Sequence, residues 1–98
     1  MKKVKKINKL KLEHKVLMGA KNSLNDEYLL VYLPTKEEFS TYFYNRDFDS
    51  VSMGHYLNSA AAGLEDLLKR ARRKEGDTVE IFAVEENIHL LQDGKTKF

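Results

Sequence analysis

A chain of 98 residues that is 42% hydrophobic and 33% charged, with five glycines and one proline, has the composition of a single folded domain, not of a disordered or fibrous chain. It has no cysteine, which excludes a disulfide framework, a thiolate metal site and a nucleophilic thiol. No apolar run approaches the roughly 18 residues that span a bilayer, and no apolar stretch follows the N-terminal lysines, so a cytoplasmic protein without a membrane partner is expected.

The net charge of +2 hides an asymmetry along the chain. Seven lysines (Lys2, Lys3, Lys5, Lys6, Lys9, Lys11, Lys15) against Glu13 give residues 1–15 a charge of +6, which leaves −4 for the remainder. A second basic cluster, Lys69, Arg70, Arg72, Arg73 and Lys74, lies within that acidic remainder. Both clusters suit a phosphate backbone through counterion release, and equally an acidic protein surface. A solubilising tail and a helix end complemented by cations explain them as well.

In chain order, residues 1–8 read as a basic tail. From Lys9, Leu10, Leu12, His14, Val16 and Met18 alternate with Lys9, Lys11, Glu13 and Lys15, the period of a strand with a basic outer face. Gly19 to Asp26 is expected to be a loop, rich in short polar side chains. Glu27–Leu33, EYLLVYL, is a second strand stopped by Pro34, which has no amide to donate. In Thr35–Asp47 two periods compete. Thr35 with Glu38 has the spacing of a capping box, whereas the aromatic and hydroxyl residues of EFSTYFY favour a strand reached through a turn over Pro34–Glu37. The strand is the preferred reading.

A long helix is expected next, capped by Asp49, Ser50 or Ser52. Met53, Leu57, Ala60, Leu64, Leu67, Leu68 and Ala71 form its apolar stripe, and Gly76 ends it. His55, Asn58, Ala62, Glu65, Asp66, Lys69 and Arg73 fall near the opposite side, with Glu65–Lys69 and Asp66–Arg70 as i,i+4 pairs. In the small-residue run Asn58–Gly63, Ala60 and Ala61 are expected to face the sheet, and Ser59 and Ala62 to point outward, where a second chain could pack as a homodimer. Thr78–Val84 and Ile88–Leu91 then read as two strands, before a turn at Asp93–Gly94 and a frayed end over residues 95–98. The expected fold is α+β: about five mostly antiparallel strands, in the order βββαββ over residues 9–94, packed on one amphipathic helix.

Few groups are placed to converge on a reaction. His14, His55 and His89 are too far apart in sequence for a local metal motif, and the carboxylate pairs such as Glu37 and Glu38 are adjacent, so that their side chains diverge. No glycine-rich phosphate loop occurs. The expectation is therefore a non-enzymatic binding protein with no metal, cofactor or catalytic residue. Nucleic acid is the first partner considered, held by the lysines and arginines named above and stacked on Tyr42, Tyr44, Arg46 and Phe48. The other reading is a protein-binding adaptor or inhibitor that uses the aromatic segment and the outer helix face; size and composition fit an accessory protein of bacteria, phages or mobile elements.

Overall fold

The computed structural model describes residues 14–73 and 76–91. Strand β1, Lys15–Asn22, turns back through residues 23–26 into β2, Glu27–Leu33, to form an antiparallel hairpin. The first strand therefore runs four residues into the segment expected to be a loop. Its expected beginning, residues 9–13, lies outside the described residues. The turn is built on Asn22, whose Oδ1 accepts from the amides of Leu24 at 2.9 Å and Asp26 at 3.0 Å. Asn25 takes a φ of 68°, a left-handed conformation that asparagine tolerates better than most residues.

The segment with two competing periods is a strand. After a turn over residues 34–37, β3, Glu38–Asn45, pairs antiparallel with β2. β4, Ser50–Leu57, then pairs with β3 and occupies residues expected to open the helix. A bulge interrupts β4. Three steps of β4, from Ser52 to His55, span what two steps of β3 span from Thr41 to Phe43, and Met53 absorbs the extra residue at a φ of 54°. The residue after it has to be glycine, because a Cβ on Gly54 would lie 2.7 Å from the Tyr42 ring.

Helix α1 spans only Ala60–Ala71. Its cap is Ser59, whose Oγ accepts from the Ala62 amide at 3.1 Å, and not Asp49, Ser50 or Ser52. Met53, His55 and Leu57 thus belong to β4, and the expected stripe shortens to Ala60, Gly63, Leu64, Leu67 and Ala71. Gly63 turns inward where Ala61 was expected: Ala61 is exposed, and a Cβ on Gly63 would come 2.8 Å from Leu30 Cδ1. Beyond α1 the chain crosses to β5, Val79–Ala83, which pairs antiparallel with β1. The sheet order is β4-β3-β2-β1-β5. Ile88–Leu91, expected as a strand, is a 3₁₀ turn, and the exposed His89 lies in it.

The fold is thus the expected α+β class, a five-stranded antiparallel sheet with one helix across it. Its main core lies between sheet and helix, where Leu17, Ala20, Leu30, Tyr32 and Phe39 meet Ala60, Leu67 and Ala71. On the other face Val16, Leu29, Val31, Val51 and Val84 form a second cluster, flanked by Tyr42 and Tyr44. No helix crosses that face among the described residues. None of the described helices is long and apolar enough to cross a membrane.

Candidate functional site

The antiparallel meander decides what can form a site. It brings the β1–β2 and β3–β4 turns to the same end of the sheet, where a cleft of about 460 Å³ opens between them. Lys21, Asn25, Asp26 and Glu27 line one wall and residues 43–47 the other. Glu27 is the buried element, with 6% of its side chain exposed. Arg46 reaches across from the second hairpin to hold it, Nη2 donating to both carboxylate oxygens at 2.8 Å and Nε to Oε1 at 3.2 Å. That clamp keeps the Arg46 guanidinium more strongly protonated than usual, through the hydrogen bond to Glu27. The Tyr44 ring lies 5.5 Å beneath the guanidinium, and its hydroxyl donates to Asp49 Oδ1 at 2.6 Å. Burial first, and then the Asp49 carboxylate, push the Tyr44 phenol up to about 12.

The clamp is asymmetric, because Arg46 keeps 63% of its side chain in solvent. Replacing Arg46 with alanine leaves a buried carboxylate without its cation and should cost about 1–3 kcal/mol, while Glu27→Gln, which leaves only an exposed arginine unpaired, should cost less. Urea unfolding of both variants at neutral pH measures the difference.

A second cluster ties α1 to the sheet. The buried Thr41 hydroxyl donates to Asp66 Oδ2 at 2.5 Å, and His55 Nδ1 lies 2.9 Å from the same oxygen. Arg70 Nη1 donates to the Thr41 carbonyl and hydroxyl, both at 3.1 Å, while its guanidinium sits 5.2 Å over the Tyr28 ring. The expected Asp66–Arg70 surface pair is therefore turned inward, with both side chains meeting at Thr41. The hydroxyl is enclosed and its proton is already given to Asp66, so the cluster acts as a clamp between β3, β4 and α1. Burial acts to raise the Asp66 pKa, but the hydrogen bonds from Thr41 and His55, with the charges of His55 and Arg70, hold it below the usual range. A lowered folded value contributes stability above the ordinary carboxylate range and loses it as pH falls. The Tm of the native chain should therefore drop more steeply on acidification than that of Asp66→Asn, as melts from neutral pH downward will measure.

The other expected site residues are dispersed. Lys2, Lys3, Lys5, Lys6, Lys9, Lys11 and Lys74 lie outside the described residues. Lys15, Lys69 and Arg72 are exposed and meet no carboxylate among the described residues. Arg73 is exposed beside Asp77, Nη1 to Oδ2 at 3.8 Å, and Asp77 also accepts from the Arg73 amide at 3.1 Å and from Ser23 Oγ at 2.9 Å. Those hydrogen bonds, the Arg73 amide's first, hold the Asp77 carboxyl below its usual range. Tyr42 and Tyr44 stand on the sheet face away from α1, so the aromatic segment and the basic end of the helix are not brought together. Phe48 projects from the β3–β4 turn and is 73% exposed. Leu24, 60% exposed, projects from the β1–β2 turn at the same end of the sheet. The sequence alone does not point to Leu24 or Lys21, it offers Asp26 and Glu27 only as an adjacent carboxylate pair suited to a turn or the surface, and without the fourth strand it does not place the two turns side by side.

Among the described residues, no three histidine or acidic side chains gather as a metal site. Comparison with protein-family models, curated proteins and solved structures gave no match.

Proposed function

We propose that the chain is a small non-enzymatic binding protein and that its partner is another protein, held at the turn end of the sheet and along β4. The observation that carries this reading is the run of large exposed side chains there: Phe48 at 73%, Met53 at 65% and Tyr56 at 63%. Aromatic residues, methionine and arginine are the types enriched at protein interfaces, whereas lysine is depleted. Arg46 is already ordered by Glu27, and Tyr56 packs edge-on against Tyr42, ring centres 6.3 Å apart, so binding has less side-chain freedom to remove.

Phosphate binding needs cations without internal partners, and Arg46, Arg70 and Arg73 each engage a group of the protein itself. Nucleic acid remains the second reading because Lys69 and Arg72 are exposed at the end of α1, and the N-terminal lysines carry the largest uncompensated charge in the sequence.

Photo-crosslinkers placed at residues 48, 53 and 69 separate the two. The protein reading expects one polypeptide to be captured from 48 and 53 in an extract of the source cell, not from 69, with a yield that persists at raised salt. It is overturned if nucleic acid is the main adduct and is captured from 69 with a steep salt dependence, the log-log slope being about −0.9 per phosphate contacted on duplex DNA.

A further inference from the structure

The cleft between the two turns gives that partner a chemistry. Within it Glu27 and Arg46 neutralise each other. The charges that remain on its lining are Lys21 against Asp26 and Asp47, and neither aspartate meets a cation among the described residues. Asp49, the next carboxylate on the turn, lies at the same end and accepts from the Tyr44 hydroxyl. The opening is therefore acidic. It is also bracketed by apolar side chains, Leu24 on one tip and Phe48 on the other, both more than half exposed. A small molecule would find the polar floor without using these tips. An extended polypeptide would use both.

We propose that the cleft receives a segment of a partner protein in which lysine or arginine alternates with large apolar residues. The cations lie between Asp26 and Asp47, and the apolar side chains lie on Leu24 and Phe48. This rests on the protein-binding reading above and adds the sign of the partner's charge and the position of its seat. An acidic segment is disfavoured by the same carboxylates, since like charges brought together at an interface cost affinity.

The test titrates the full-length protein with two synthetic peptides, one of alternating lysine and leucine and one with glutamate in place of each lysine, and follows backbone amide shifts by NMR. The lysine peptide should move the amides of Asp26, Asp47 and Phe48, and the glutamate peptide should not. Replacing Asp26 and Asp47 together with asparagine, both outside the core, should weaken the lysine peptide about three- to tenfold while leaving the rest of the spectrum in place.

Equal binding of the two peptides, or shifts confined to the end of α1, overturns the proposal. So does concentration-dependent self-association that moves these amides before peptide is added, which would give the cleft to a second copy. If neither peptide binds but residue 48 still captures a protein, the basic-segment assignment is wrong and the interface stands. Loss of that capture as well overturns both.

Discussion

Leu67→Ala should lower the unfolding free energy by about 2–5 kcal/mol, while its neighbour Leu68→Ala should change it by no more than about 0.5 kcal/mol. Leu67 is fully buried between α1 and the sheet, among Leu30, Tyr32 and Phe39. Truncating it removes the transfer energy of the lost methyl groups and leaves a cavity that these neighbours cannot readily close. Gly63 already brings the helix to within 2.8 Å of Leu30 Cδ1, measured from where a Cβ would stand, so little inward travel is left. Leu68 is 41% exposed. Against a typical total of about 5–15 kcal/mol, the first variant uses a large share of the stability of so small a domain. Urea denaturation with equal m-values measures both. Comparable losses would mean that the helix is rotated toward the wider stripe expected from the sequence, in which Leu67 and Leu68 both faced the core.

That stripe shows why the sequence was legible in some places and not in others. Over Glu27–Leu33 the signal was unambiguous, since a short apolar run ended by proline has one simple reading, and β2 is there. Over Ser50–Leu57 it was degenerate. Met53, Leu57, Ala60 and Leu64 are spaced at four, three and four residues and continue the true helix backward without a break in phase. The segment also alternates, as Val51, Met53, His55 and Leu57, and SVSMGHYL has serine and glycine where a helix interior gains least. Asn58 and Ser59 are the local signal that decides between the two, a cap at the boundary. The earlier candidates at Asp49, Ser50 and Ser52 obscured it. Ile88–Leu91 failed for a different reason: four apolar residues specify burial more firmly than backbone type, and Leu91 is buried from a 3₁₀ turn as it would have been from a strand.

The candidate site was legible in its side chains and not in its geometry. Arg46 and Phe48 stood out as residue types, and both lie at the proposed interface. Glu27 did not, because as the polar first residue of an apolar strand it looked like a solvated end. It is instead 5% exposed, paired across β2 and β3 with Tyr44 and clamped by Arg46. The basic cluster was misjudged in the opposite sense. Nearness in sequence made Lys69, Arg70, Arg72 and Arg73 look equivalent, but the helix turns Arg70 inward to Thr41 and Tyr28 while Lys69 and Arg72 face solvent. Charge summed along a sequence counts all of these; charge available to a partner counts only those without an internal acceptor.

Asn22→Ala should be the costliest polar substitution, at about 2–4 kcal/mol, because one buried side chain serves three backbone groups in two elements. Asn22 is 4% exposed. Its Nδ2 donates to the Ala71 carbonyl at 3.1 Å, at the end of α1, while Oδ1 takes the two turn amides of Leu24 and Asp26. Alanine leaves all three without that partner. Asn22→Asp keeps the acceptor but loses the donor, and sets a carboxylate against the negative end of the helix. Burial and that carbonyl raise the aspartate's folded pKa above its unfolded value, so its penalty is complete at neutral pH and lessens as the pH falls, where the acid can donate again. The two variants should therefore diverge on acidification, with only Asn22→Asp recovering. The same bonds hold the turn that carries Leu24 and one wall of the cleft, so Asn22→Ala should also speed hydrogen exchange at Leu24 and Asp26 and weaken the lysine–leucine peptide at temperatures where the variant is still folded. Unchanged exchange at those two amides would show that the turn is held without Asn22, and would detach the stability of the helix junction from the shape of the cleft.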